Sequence, residues 1–204
     1  MDSDSFPLDP RKVPRQSRSQ ALRDALVVAT VRVLSEEGYQ GATTKRIAKA
    51  AGVSIGSLYQ YFPSKEALVH AVSLEHFDDV LARLAAVSLA TERPLGVVIG
   101  DVVQSMIDAH AIDPVVHQAI TEQQLRVGPG ACAEIQSRSR SLVQGIFQAR
   151  ADEVTVRRAE LAAWLLVTTV EGAVHAALLE DVGRLRDPAF SAELTALICA
   201  YLQA

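Results

Sequence analysis

The sequence predicts an all-α protein, with a small N-terminal domain of three helices and a larger helical domain after it. Three observations carry that prediction. Apolar residues recur at spacings of three and four along most of the 204 residues, and no segment joins two-residue alternation to the turn chemistry of a sheet. Between Thr43 and Lys65, two short capped helices flank a glycine-containing turn. Charge is also unevenly spread: residues 11–65 hold ten Lys and Arg against three Asp and Glu, and residues 66–204 hold ten against eighteen, within a net charge of −4. A basic module on an acidic body confines affinity for a polyanion to one end. The expected divisions are an arm over 1–14, a basic helical domain over 15–65 and a helical body over 66–204.

Met1 to Pro14 carries three prolines and three acids without a helical period, and reads as a loosely held arm. Ser19 to Glu37 is an amphipathic helix whose stripe is Leu22, Leu26, Ala29 and Val33, flanked by Ala25 and Leu34. Gly38 ends it. Thr43 or Thr44 caps the next, short helix, with Ile47, Ala48 and Ala51 on its apolar side. Gly52 can take the left-handed backbone of a sharp turn, with Val53 packed beneath it. Ser54 caps a helix of two turns that points Leu58 and Phe62 inward. Ser64 then caps a long helix to about Ala90, with Glu66 in its first turn, where the helix dipole favours negative charge.

The Ser54–Tyr61 helix is small and polar at its exposed end. Ser54, Gly56 and Ser57 leave its N-terminal amides open to a phosphate or a base edge, and Tyr59, Gln60 and Tyr61 carry hydrogen-bonding tips. Lys45, Arg46, Lys49 and Lys65 place positive charge around it, which suits double-stranded DNA. The other reading is an ordinary surface helical hairpin. The run GATTKRIAKAAGVSIGSLYQYFPSKEAL weighs against it, because it resembles the DNA-binding segment of the tetracycline-repressor (TetR) family of transcriptional regulators over roughly residues 18–68. The resemblance implies a homodimer on a palindromic operator, released when a small-molecule effector in the body changes the separation of two DNA-reading heads. On that footing Thr44, Lys45, Tyr59 and Lys65 anchor phosphates, and Ser54, Ile55, Gly56, Ser57, Gln60 and Tyr61 lie on or beside base edges. Arg11, Lys12, Arg15 and Arg18, ahead of the first helix, are either an arm that touches DNA or a solvated tail.

The body reads as helices over about 94–111, 115–126, 131–150, 155–182 and 188–202, broken at Asp113-Pro114, Gly128-Pro129-Gly130 and Asp187-Pro188. The last two are too apolar to bury every face internally, so a partner surface is expected. The resemblance implies that they form a four-helix interface between two copies.

The family's small-molecule pocket lies among the middle helices. Its expected polar lining here is His110, His117, Gln124, Thr168, Glu171 and His175. Its expected walls are Met106, Ile120, Leu142, Ile146, Phe147, Trp164 and Val167. Each apolar member is equally an ordinary core residue, and Trp164 is either pocket wall or dimer contact. Glu171 and His175 share a helical face, but no spacing with His110 or His117 is metal-specific, so no metal or other cofactor is expected. No nucleophile elbow, phosphate loop or metalloprotease signature supports catalysis. Cys132 and Cys199 read as buried thiols of a cytoplasmic protein, with a distant disulfide as the alternative. No run of about 20 apolar residues suggests a membrane span, and no signal peptide is visible. The rival functional reading is a ligand- or protein-binding helical module without operator-specific regulation, and behind it a small metal-dependent enzyme.

Overall fold

The computed structural model describes residues 17–88, 92–128 and 133–204, which form nine α-helices and one 3-10 helix; the described residues contain no strand. The N-terminal arm with Arg11, Lys12 and Arg15, the side chain of Arg18, and Cys132 lie outside what is described.

The chain divides into two compact units. The first holds α1 (Ser17–Gly41), α2 (Thr44–Ala50), α3 (Ile55–Tyr61), α4 (Lys65–Ser88) as far as His76, and α6 (Pro114–Val127) from Val115. Its core is built from Leu26, Leu34, Ile47, Leu58, Phe62 and Leu68, none of them measurably exposed. Each such side chain gains about 1.5–3 kcal/mol from leaving water. α1 is interrupted at Gly38, which takes φ 65°, so the regular helix stops where the sequence predicts. Val116, Ala119 and Ile120 of α6 join this core, a packing that the chain order does not announce.

The second unit contains α4 from Phe77, α5 (Leu95–Ile112), α7 (Ala133–Ala149), α8 (Ala159–Glu180), a 3-10 helix (Val182–Arg186) and α9 (Pro188–Leu202). α5 packs on α9, and α7 packs on α8. The buried Arg150 ties the unit together: one guanidinium nitrogen donates to Glu153 at 2.8 Å and another to the Arg93 carbonyl at 2.7 Å. The Glu153 carboxylate also accepts from the Leu95 amide at 3.2 Å, so it caps an α5 terminus whose Pro94 has no capping side chain. α8 begins at Ala159 and not near Thr155, which is engaged elsewhere: its amide donates to the Leu202 carbonyl at 2.9 Å, and its hydroxyl proton is within reach of the carbonyl of either Leu202 or Ala204. Asp187 caps α9 by accepting from Ala189 at 2.9 Å, with Pro188 in the first turn.

Two expectations need correction. α5 and α8 each have the length and hydropathy of a membrane span, contrary to the reading of the sequence. Apolar content reaches that level because both helices contribute one face to the unit's core while the rest of each helix is also poor in charge; α5 nonetheless carries Asp101 and Asp108. Cys199 is half-buried rather than buried, with its thiol pKa raised by what burial there is.

Candidate nucleic-acid interface and effector cavity

In the first unit, the α2–turn–α3 segment is fixed by its own backbone. Thr43 Oγ1 accepts from the Arg46 amide at 3.3 Å and so is the cap of α2. At the other end Gly52 donates to Lys49 O at 3.1 Å, Val53 donates to Ala48 O at 3.0 Å, and Gly52 stands at φ 70°. That pair of bonds around a left-handed glycine is a Schellman closure, which turns the chain sharply without leaving the last carbonyls of α2 bare. Ser54 Oγ then accepts from the Ser57 amide at 3.0 Å and starts α3. Leu58 anchors α3 from beneath, and Arg32 fastens α1 to the end of α2 by donating to Ala50 O at 3.1 Å.

This frame sorts the expected DNA-contacting residues. Ser54, Ile55, Gly56, Tyr59 and Gln60 are exposed on α3 or its cap, as is Lys45 on α2, while Ser57 and Thr44 are half-buried. The hydroxyls of Thr44 and Tyr59 meet at 3.1 Å, which brings the start of α2 and the middle of α3 to one surface point. Lys45 and Lys49 are exposed with no ion-pair partner among the described residues, whereas Arg46 is paired with Glu37. Phosphates would thus meet two available ammonium groups and a pair of hydroxyls beside an open helix N-terminus.

Two residues on that expected surface are placed differently. Tyr61 is 6% exposed, and its hydroxyl lies 3.0 Å from Ser19 Oγ, so it fastens α3 to α1 instead of facing a base. The spacing Leu58–Tyr61–Phe62, three then four from the anchor, puts all three on the inward face, and that signal was available in the sequence. Lys65 donates to Tyr39 O at 2.9 Å and lies 3.8 Å from the Tyr39 ring centroid. Its burial lowers the pKa of the ammonium. Tyr39 in turn donates to Glu66, and burial followed by the Glu66 charge pushes its phenol up to about 12. Lys65 is therefore a strut joining the end of α1, beyond its break at Gly38, to α4.

The second unit holds an apolar cavity of about 70 Å³, walled by α4, α5, α7, α8 and α9. Of the expected lining, Met106, Leu142, Ile146, Phe147, Val167 and Glu171 are on its wall. Residues missed from the sequence include Leu84, Val102, Ser139, Val143 and Val170. Ser139, Leu142, Val143 and Ile146 follow the three–four spacing of one face of α7, as Val167, Val170 and Glu171 do on α8, so a face-by-face reading would have found them.

The other seven expected positions are elsewhere among the two units. His117 and Ile120 are buried in the first unit, where His117 meets His76 edge-on with ring centroids 4.2 Å apart; Gln124 lies on the same helix. Trp164 is 46% exposed, and Thr168 is exposed beside it. His110 and His175 pack ring against ring at 5.5 Å outside the cavity wall, and His110 Nδ1 sits 2.8 Å from Met106 O. Burial lowers the His175 pKa. Among the described residues no three His, Cys, Asp or Glu side chains converge as a metal site.

An open groove of about 590 Å³ also runs from Gln144 and Gln148 past Val154 to Glu160. Its mixed polar lining and exposure to solvent make it the weaker candidate for a small apolar ligand.

Comparison with known proteins finds two family models along the chain, the second of which in chain order runs through α6 of the first unit. Residues 94–202 match the family model described as the tetracyclin repressor-like C-terminal domain, and residues 26–72 match that of bacterial regulatory proteins of the tetR family. The nucleoid occlusion factor SlmA of Haemophilus ducreyi is 32% identical over 110 residues, 54% of this chain and 54% of that protein. The matched stretch thus spans about half the length of that relative. The HTH-type transcriptional regulator UidR of Escherichia coli is 38% identical over 68 residues, 33% of this chain and 35% of that protein. In fold, a TetR-family transcriptional regulator from Streptomyces coelicolor superposes with a TM-score of 0.70 at 20% identity, covering 91% of this chain and 97% of that one.

Proposed function

We propose that this chain, which belongs to the TetR family of DNA-binding transcriptional regulators, is a repressor that grips a palindromic operator as a homodimer and lets go when a small molecule enters the cavity of its second unit. The observation that carries the reading is the surface around α3. A helix N-terminus with exposed residues, the joined Thr44 and Tyr59 hydroxyls, and the exposed Lys45 and Lys49, which have no ion-pair partner among the described residues, all belong to the self-capped α2–turn–α3 segment. Thr44, Lys45 and Tyr59 take phosphates in this reading, and Ser54, Ile55, Gly56, Ser57 and Gln60 reach or flank base edges.

Dimerisation is assigned to α8 and α9. Leu161, Trp164 and Leu165 are exposed at three–four spacing on α8, and Leu197 and Tyr201 are exposed four apart on α9. Contiguous exposed apolar faces of this kind mark association surfaces. A two-fold axis through them gives two heads the symmetry of an inverted repeat.

Release is assigned to α4, which belongs to the first unit's core at Leu68 and to the cavity wall at Leu84. A ligand that binds one arrangement of that helix better than another shifts the population of DNA-competent heads. A cytoplasmic location follows from this role, and no catalytic step is assigned.

The reading is tested by titrating the full chain with DNA from immediately upstream of its own gene, in the presence of competitor DNA and at two salt concentrations. Sequence-selective binding with a stoichiometry of two chains per site is the expected result. Weak binding that is equal on all sequences, together with no enriched site in a genome-wide selection, would leave the helical-module alternative standing.

A further inference from the structure

Ile55 opens α3 and is 42% exposed. It stands outside the described core of the first unit, against which Val53, two residues earlier, does pack. A lone exposed apolar side chain is ordinary on a protein surface. Ile55 differs in its company. Residues four apart on a helix are neighbours, so it lies one turn before Tyr59, itself 41% exposed, whose hydroxyl meets that of Thr44 at 3.1 Å. Gly56 and Gln60 complete the outward side of this short helix, opposite the buried Leu58 and Tyr61.

Local structure gives Ile55 no other task. Capping belongs to Ser54, which accepts from the Ser57 amide at 3.0 Å, and anchoring belongs to Leu58. Isoleucine is a poorer helix former than the Glu, Gln or Lys that would suit an exposed first turn. The Ser54 and Ser57 hydroxyls lie 2.8 Å apart, so one of their two protons is spent within the pair. Hydrogen-bonding capacity at this end of α3 is thus partly committed inside the protein, and the bulkiest exposed side chain there is apolar.

An apolar side chain reads DNA in one way. Along the major groove the base edges offer hydrogen-bond donors and acceptors, and the one apolar group among them is the C5 methyl of thymine. Over guanine, adenine or cytosine an isoleucine strips water from polar atoms and returns no hydrogen bond, which is unfavourable. Over thymine it covers a methyl group, and apolar surface leaves water on both sides of the contact. The minor groove offers no such group. We infer that Ile55 is a specificity-determining residue, which selects a thymine in each half of the operator by packing on its C5 methyl group. The inference rests on the reading of α3 as the helix that meets base edges, and it names what one position of that helix demands of the DNA sequence.

The test compares the native chain with Ile55→Ala. Alanine is a strong helix former and the position is exposed, and circular dichroism with a urea titration establishes that the variant is folded. A selection from random-sequence duplexes with the full native chain supplies the site. Each thymine of that site is then replaced in turn by deoxyuridine, in both half-sites together, which removes a methyl group and leaves every hydrogen-bonding edge intact. Affinities are read by fluorescence anisotropy at one salt concentration. At one thymine position the replacement should weaken binding by the native chain by about fourfold per half-site, the equivalent of one buried CH₂ group, hence by about 15-fold for the symmetrical site. The same replacement should leave binding by Ile55→Ala unchanged, and a selection with the variant should lose the preference for thymine there. Crossing the two changes separates the contact itself from any effect of uracil on the duplex. A site with no methyl-dependent thymine, or one whose methyl matters equally to both proteins, would overturn the inference and leave the operator reading intact. If the selection yields no preferred site, the operator reading falls and the inference falls with it.

Discussion

The hydroxyl of Tyr61 lies against Ser19 in the first unit, while that of Tyr59, two residues earlier on the same helix, reaches the surface beside Thr44. The two tyrosines therefore answer differently to loss of the hydroxyl. Tyr61→Phe should lower unfolding free energy by about 1 kcal/mol in urea titrations and leave operator affinity as it was, because it deletes an internal hydrogen bond. Tyr59→Phe should leave stability within a few tenths of a kcal/mol and weaken binding to every DNA sequence by a similar factor, as loss of a phosphate contact does. A change in base preference from either variant would contradict these placements. Glu171 has its own signature. Its folded pKa of about 7 lies above the ordinary 4.5, so the folded chain holds the proton more tightly. Stability from this group is full below about pH 4.5 and is lost as pH rises through 7. The neighbouring His175, lowered by burial, acts in the opposite sense where histidine titrates, so the comparison must be between native and variant. Glu171→Gln should be more stable than the native chain by on the order of 1–3 kcal/mol at pH 8, with the gap closing toward pH 5. A gap that stays constant with pH would mean that Glu171 is not strained by burial.

At the scale of elements, the turn between α2 and α3 was legible, apart from the choice between Thr43 and Thr44 as the cap of α2, because every part of it is local. A cap, a left-handed glycine and a second cap lie within twelve residues, and each reports its own backbone state. A Cβ added at Gly52 would meet nothing within 4 Å, so the cost of Gly52→Ala is that of the backbone alone. It should destabilise the chain by about 1 kcal/mol, read as a fall in Tm, and reduce DNA affinity through a tilted α3. An unchanged Tm would show that the turn does not need the left-handed state. What sequence could not supply was tertiary assignment. The apolar positions of α6 have the right period for a core helix, but period does not say which core. His117 and Ile120 join the first unit, although they follow α5 of the second in the chain. Lys65 was similarly opaque: a lysine beside a helix start suits a phosphate, and only the fold brings the Tyr39 carbonyl within 2.9 Å of it.

For the whole molecule, the question is what covers α8 and α9. Their inner faces are used within the unit by Ala162, Leu166, Leu178, Leu194 and Ile198, which leaves Leu161, Trp164, Leu165, Leu197 and Tyr201 on the outer faces. The sequence showed that these helices carry more apolar surface than one body can hide, but not which residues point outward. A charge introduced where two copies meet must be buried unpaired, which costs several kcal/mol and so outweighs a typical association surplus. Trp164→Glu and Leu197→Glu should therefore yield monomers by analytical ultracentrifugation. Secondary structure should be retained, because both positions are exposed in the single chain. The native Tm should rise with protein concentration, since association stabilises the folded form by mass action, and the variants' Tm should not. Operator binding should fall much more than the loss of one contact explains, because two heads held at a fixed spacing act at high effective concentration and a single head does not. A monomeric variant that still bound the operator as tightly as the native chain would place the symmetry elsewhere. A variant that remained dimeric would move the interface off these two helices.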